Sequence, residues 1–284
     1  MHSIHIYQLQ TKMLACRVLI YPSFSVLRTS SRFFSAPSSS PSPTITLYQY
    51  RICPFCCKTK SLLTHLSLPY TSIEVNPLTK SQFKNLESIG DDTYKKVPVA
   101  LINNERINGS NEIIDKILEI SDKHDIITDD FINDESMKWY NWCDTHLAVR
   151  IYPALTETFD SSLTAFSYLD NVSEFSTFEK LSAKYIGAFA MKLAGGKIKK
   201  KYGIEDTDHE LASSIETWKN DALNSAPFQG GDKPSIADIA VYGVLKGLED
   251  VGGRWFEERV KGDKEVEEWF SRVEGVVGEI NSSH

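Results

Sequence analysis

Two cysteines three residues apart stand where a short apolar strand hands over to a helix, and few folds provide that junction. Ile45–Tyr50 (ITLYQY) is β-branched and aromatic, the composition of a strand. Arg51–Pro54 turns the chain. Pro54 suits the first turn of a helix, where a missing N–H costs nothing. Thr59, Leu62, Leu63 and Leu66 then fall on one face at helical spacing. Cys53-Pro-Phe-Cys56 therefore occupies a strand-to-helix turn.

The next segments extend this pattern. Pro69 precedes a short strand at Tyr70–Val75, and a second helix is expected over Leu78–Leu86. Val97–Ile102 (VPVALI) reads as an apolar strand, Asn103–Asn104 as a turn, and Glu105–Ile107 as its hairpin partner. Gly109–Ser110 opens a helix with Ile113, Ile114, Ile117 and Leu118 inward. The order β-α-β-α-β-β-α over residues 44–122 is that of a thioredoxin-like α/β domain. A polar stretch over Ser121–Thr128, reaching residue 130, links it to the C-terminal half of the chain.

From Phe131 onward no strand is expected, and residues 131–284 read as an all-α domain. A first helix carries Trp139, Trp142, Cys143, His146 and Val149, and Pro153 kinks or ends it. Others are expected over Phe175–Leu193, His209–Leu223 and Lys264–Val276. The sharpest start is Ser235-Ile-Ala-Asp238, a capping box in which the serine accepts from the third amide and the acid reaches back to the cap N–H.

Charge narrows the function. The chain of 284 residues is 41% hydrophobic, enough for a sizeable core, and its net charge of −7 argues against a nucleic-acid-binding surface. The first acidic residue is Glu74. Residues 1–43 hold Lys12, Arg17, Arg28, Arg32, many serines and no acid, the composition of an organelle transit peptide ending in a Ser/Pro linker. Arg28–Ala36 resembles a mitochondrial processing region. A plastid address, or a tail with no address, are the alternatives. No apolar run reaches the ~18 residues that cross a bilayer.

Three of the five cysteines (Cys53, Cys56, Cys57) cluster, which excludes the spread-out framework of a secreted disulfide protein. The first turn of a helix offers unpaired amides and the positive end of its dipole, and both favour a thiolate. Cysteines so placed have pKa values lowered to roughly 3.5–7.5. Cys53 is thus expected to be nucleophilic, with Cys56 placed to resolve a mixed disulfide and Cys57 turned into the core. A zinc half-site is the alternative, but it lacks a second ligand pair, since only His65 and Cys143 are available. No metal is expected. Inert buried thiols are the bland reading.

Two further elements fit a peptide ligand. A cis peptide at Val97-Pro98 would expose the backbone of Val97 to pair with a bound peptide such as glutathione. The helix start at Gly109–Ser110 offers amides and a hydroxyl to a carboxylate, or is merely a cap. Tyr50 could bond the Cys53 thiolate or a substrate oxygen, or lie at the core's edge. Trp139, Tyr140 and Tyr152 line an interdomain cleft or belong to the core. Lys192, Lys197, Lys199, Lys200 and Lys201 form a basic cluster that suits anionic lipid or a solvated loop.

Beyond these elements the chain resembles the prostaglandin E synthase 2 family, a membrane-associated branch of the glutathione transferase-like proteins. The likeness spans residues 44–278. It rests on LYQYRICPFC (47–56), LPY..IEVNP (68–77), KVPV (96–99), AKYIGAFAM (183–191) and GGDKPSIADIAVYGVLKGLE (230–249). It implies a glutathione-dependent isomerase opening a prostaglandin H-type endoperoxide, with haem bound alongside glutathione and a homodimer that contacts membrane. By position, Cys53 would be the essential thiol beside Tyr50 and Cys56, with Phe55, Val97, Pro98, Gly109 and Ser110 lining the glutathione site. Transferase relatives place an acid just before that serine. Here Gly109 stands there, leaving Asp115 or a neighbouring chain to compensate. A glutaredoxin-like oxidoreductase and a non-catalytic haem or glutathione sensor are the other readings.

Overall fold

The computed structural model describes residues 42–278, apart from 92, 123–126, 129, 250 and 252–253. The transit-type segment up to residue 41 lies outside the described residues. Strand β1 (Ile45–Gln49) leads into helix α1 (Pro54–His65), then strand β2 (Thr71–Glu74). Strands β3 (Val99–Ile102) and β4 (Glu105–Asn108) form the hairpin, and helix α2 (Ser110–Asp122) closes the first half. The sheet order is β2-β1-β3-β4, with β1 parallel to β2 and antiparallel to β3. Asn103 and Asn104, both at positive φ, make the hairpin turn.

The expected helix over Leu78–Leu86 is reduced to a 3₁₀ segment at Ser81–Leu86. Asn76 explains the loss. Its Oδ1 accepts from the amides of Leu78 (3.0 Å) and Thr79 (3.1 Å), an Asx turn that competes with helix. Lys80 then takes a left-handed conformation at φ 50° and breaks any α-helical run.

The described residues of the second half form helices and their connections, with one isolated antiparallel bridge between Phe228 and Gly231. Helix α3 (Asp134–Trp142) is capped by Asn133 and passes through π-helical residues Cys143–Leu147 into helix α4 (Ala148–Leu155). Pro153 sits inside α4 without stopping it at once, and the helix runs two residues further. Helix α5 (Phe159–Ala165) was not foreseen from the sequence. Helix α6 (Thr177–Tyr202) is longer than expected and ends at Gly203, at φ 66°. The cluster Lys197–Lys201 therefore lies on a helix end rather than a solvated loop. Helix α7 (Thr207–Thr217) continues into π-helical Trp218–Leu223. Helix α8 (Ile236–Glu249) and helix α9 (Lys264–Val277) complete the bundle.

The capping box of α8 forms with one change. The Asp238 carboxylate accepts from the Ser235 amide at 2.8 Å, but the Ser235 hydroxyl accepts from Ala237 at 3.2 Å rather than from the third amide. Trp269 donates its indole N–H to the same aspartate at 2.9 Å. Trp139, Trp142, Trp218 and Trp269 pack ring on ring at centroid distances of 5.2–6.2 Å, which settles Trp139 as core.

The two halves meet where α1 crosses α8. A Cβ on Gly243 would stand 2.7 Å from the Lys58 Cα and 2.9 Å from the Cys57 carbonyl, so only glycine admits this approach. Lys58, 1% exposed, is closed in the same seam. Its ammonium donates to Asp144 (2.5 Å), the Tyr140 hydroxyl (3.0 Å) and Asn111 (3.1 Å). Burial opposes its charge, but Tyr140 and Asp144 outweigh that and raise its pKa. Tyr140 is therefore a structural residue, not a cleft residue.

Candidate active site

The register of the sheet brings the candidate residues together. Tyr48 pairs with Val99 across β1 and β3, and just beyond that pair Tyr50 and Val97 pack against the same apolar cluster of Tyr48, Val75, Phe83, Leu86 and Val99. The Val97-Pro98 peptide is cis. Gly109 donates its amide to the Pro98 carbonyl at 3.0 Å, which ties the start of α2 to the same bend. Cys53 sits beyond the end of β1, its amide bonded to the Tyr50 carbonyl at 3.0 Å, as the extended residue immediately before α1. One face thus collects Tyr50, Cys53, Phe55, Val97, Pro98, Gly109 and Ser110.

Cys53 is partly exposed, whereas Cys56 and Cys57 are buried. The Cys53 pKa is lowered, chiefly because the Cys56 S–H donates to its sulfur; burial opposes, and the amides of Cys56 and Phe55 and the Lys60 ammonium add to the lowering. Cys56 moves the other way, raised by burial and by donating to an adjacent thiolate. The pair is therefore asymmetric: a partly exposed nucleophile and a protonated, buried partner behind it. Cys57 donates to the Arg51 carbonyl at 3.1 Å and packs against Gly247, in the core as expected.

Around the sulfur the walls are aromatic. Tyr50 rests on the Tyr48–Val75–Phe83 cluster, and burial, then the nearby Cys53, raise its pKa. No described hydrogen bond joins its hydroxyl to Cys53. Tyr152, on α4, lies near enough from the helical half to feel the Cys53 charge. Burial and Cys53 push its pKa up to about 12, so it remains a neutral donor at physiological pH. Cys143 is fully buried with its thiol pushed up, and His65 stacks on Phe131 at 5.3 Å. Cys143 lies in the core, while His65 is half-buried.

Two backbone features border the cysteine turn. Among the described residues neither the N–H nor the C=O of Val97 takes part in a hydrogen bond. Gly109 adopts φ 95°, and a Cβ there would stand 2.7 Å from Glu112 Oε2. Glu112, not Asp115, is thus the carboxylate beside Gly109. Asp115 instead acts on buried Tyr140. The sequence held this signal in its spacing, since residue 112 falls in the first turn of a helix beginning at Ser110.

Glu74 is a further residue that the sequence reading missed. It stands at the end of β2, directly behind the cysteine turn. Its Oε1 accepts from the Arg51 amide (3.1 Å) and the Tyr168 hydroxyl (2.8 Å), and its Oε2 from Gln49 Nε2 (3.2 Å). Burial raises its pKa to about 7 against these donors. A folded-state pKa above the unfolded value means the native state holds the extra proton, so this group's contribution falls as pH rises from about 4.5 to about 7. We expect Glu74→Gln to be tolerated. The Oε1 of Gln49 is buried without a partner and can turn to accept from the new amide. Urea unfolding at pH 5 and pH 8 should show the mutant's pH dependence flattened by on the order of 2 kcal/mol.

Residues 47–124 match the model of the glutathione S-transferase N-terminal domain. Prostaglandin E synthase 2 of Danio rerio is 30% identical over 273 residues, covering 81% of this chain and 70% of the relative. The Mus musculus protein of the same name is 29% identical over 285 residues, covering 84% and 72%. Among solved structures, a β-etherase from Sphingobium superposes with a TM-score of 0.57 at 16% identity, over 85% of this chain and all of that one. Human glutathione transferase theta-2, solved with glutathione and an unknown ligand, gives 0.55 at 13% identity, over 82% of each chain. At such identities the two structures speak for the fold alone: a thioredoxin-like domain followed by a helical domain.

Proposed function

The chain belongs to the prostaglandin E synthase 2 family, and on that premise we propose that it is a glutathione-dependent isomerase that opens lipid endoperoxides or related lipid peroxides through the Cys53 thiolate. The coarser statement, an enzyme of the glutathione transferase superfamily, follows from the relatives themselves. The finer one is carried by one observation: a partly exposed sulfur that accepts the Cys56 S–H beside a cis bend.

Opening an endoperoxide to a hydroxyketone is redox-neutral. The thiolate attacks one peroxide oxygen, the O–O bond breaks, and the other oxygen leaves as an alkoxide that takes a proton. Loss of the proton on the carbon bearing the S-bound oxygen then forms the ketone and expels the thiolate unchanged. Tyr152, a neutral donor near Cys53, is placed to protonate the alkoxide. Glutathione, when bound, would supply a second thiol beside Cys53, with the Val97 backbone pairing its peptide and the α2 start holding a carboxylate. Turnover of a lipid endoperoxide and of lipid hydroperoxides, with and without glutathione and with haem excluded, is the test. Turnover that ignores glutathione would sink the proposal.

A second reading has its own support. The Cys53–Cys56 pair, one sulfur ionised and the other protonated, is the arrangement of a thiol–disulfide oxidoreductase. Reduction of a small mixed disulfide by glutathione at neutral pH is its assay. Haem stands on the family likeness alone, and a Soret band needing both glutathione and Cys53 is the spectrum it demands. The mitochondrial address rests on the composition of residues 1–43, and the fate of a reporter fused to that segment tests it against the plastid. Among the described residues no helix is long and apolar enough to cross a membrane.

A further inference from the structure

The presentation of the Cys53 sulfur depends on how one turn is held. Tyr50 to Cys53 form a β-turn closed by the Cys53 amide on the Tyr50 carbonyl at 3.0 Å. Arg51 takes its first inner position, where the peptide N–H points away from the turn and needs a partner elsewhere. Glu74 supplies one, its Oε1 accepting that N–H at 3.1 Å. The Cys57 thiol donates to the carbonyl of the same residue, also at 3.1 Å. Arg51 is therefore gripped at both its peptide groups, two residues before the sulfur.

Glu74 is in turn held by hydrogen bonds. It ends the edge strand β2, beside Gln49 in the register, and lines a cavity of about 180 Å³ together with Arg51, Ser72 and Val172. Packing alone does not fix a side chain that borders such a space. Gln49 Nε2 (3.2 Å) and the hydroxyl of Tyr168 (2.8 Å) do. Tyr168 is buried in the 3₁₀ segment Ser167–Asn171, so the hold on the cysteine turn reaches into the helical half of the chain.

Resting on the Cys53 chemistry above, we propose that Glu74 is a positioning residue for this thiol: it holds the turn that sets the sulfur against the first amides of α1, and Tyr168 anchors it from the helical half. The amides of Phe55 and Cys56 and the Cys56 S–H stabilise the anion only while Cys53 faces them. Freeing the Arg51 amide loosens that alignment, and a thiolate deprived of these donors takes up its proton at higher pH.

Charge acts in the opposite direction, which separates the two effects. Arg51, Lys60, Glu174, Tyr50 and Tyr168 are the charged or titratable groups around Glu74. Removing a carboxylate from among them can only favour an anion on Cys53. Glu74→Gln and Glu74→Leu both remove the charge, but only glutamine keeps an acceptor for the Arg51 amide.

Iodoacetamide alkylation of Cys53 in the full chain, followed by mass spectrometry across pH, reads the result without any substrate. Glutamine should leave the midpoint in place or lower it. Leucine should raise it by about one pH unit, slowing alkylation at pH 7 roughly fivefold, with turnover falling in parallel. Asp238→Asn weakens the fold without touching Arg51 or Glu74, so it should leave the midpoint unmoved. Should Glu74→Leu fail to fold, Tyr168→Phe carries the test, with alkylation at pH 7 about twofold slower. A lowered wild-type midpoint that the decisive variant leaves unchanged overturns the positioning role alone. A wild-type midpoint above pH 9 removes Cys53 as the nucleophile, and the role of Glu74 with it.

Discussion

Cys53→Ser should lose about a thousandfold in turnover at pH 7 while keeping its fold and glutathione affinity. A serine hydroxyl in the same place stays protonated, because no shift of a few pH units brings an alcohol into range, whereas the thiol is already displaced toward the anion. The partner residue separates the two chemistries. Cys56→Ala keeps the nucleophile but removes the strongest contribution to its lowered pKa, the S–H donated to Cys53. Its isomerase rate should therefore fall, and its pH profile should move to higher pH, because a larger share of the thiol stays protonated. Alkylation of Cys53 by iodoacetamide across pH, followed by mass spectrometry, reads the same shift without substrate. A Cys53→Ser enzyme with wild-type turnover, or a Cys53 that alkylates only above pH 9, would remove the proposed nucleophile.

The largest loss of stability is expected from Asp238→Ala. Asp238 is fully buried and accepts from the amides of Gln229 (2.9 Å), Gly230 (3.3 Å) and Ser235 (2.8 Å), the Ser235 hydroxyl (3.0 Å) and the Trp269 indole (2.9 Å). Alanine leaves these donors inside the protein without an acceptor, and each stranded donor costs ~1–3 kcal/mol before water or rearrangement relieves it. Allowing for that relief, the net cost should be about 4 kcal/mol, near 10 °C or more in melting temperature for a domain of this size. Asp238→Asn retains one acceptor oxygen and should cost about half as much. Differential scanning fluorimetry of both variants gives the comparison, and a change under about 1 kcal/mol for alanine would show that the carboxylate is not the hub of this corner.

Much of this was readable from the chain alone. Strand Ile45–Gln49, the proline-initiated α1, the cis Val97-Pro98 bend and the α8 cap each carry a local chemical signature, and local signatures survive without tertiary knowledge. The failures share a cause. Whether Leu78–Leu86 coils as α-helix was decided by one asparagine's preference for its own backbone. The π-helical stretches at Cys143–Leu147 and Trp218–Leu223 answer to packing, and no pattern of types announces them. Lys58 looked like an ordinary surface lysine of α1, because its partners Tyr140 and Asp144 lie more than eighty positions away. Glu74 was invisible for the same reason: its hydroxyl donor, Tyr168, comes from the other half of the chain.

The closeness of α1 to α8 has a practical consequence. Nine of the twelve residues of α1 are buried, polar ones among them, and the Lys58 ammonium finds two of its three partners, Tyr140 and Asp144, on segments beyond residue 130. Excising residues 44–122 as an autonomous miniature reductase would therefore bare one side of the helix that presents the sulfur, and take from Lys58 its partners Tyr140 and Asp144. Such a fragment should be insoluble unless Lys58 and its neighbours are redesigned, and a graft of this reactive turn onto another scaffold must bring the two glycines of α8 with it.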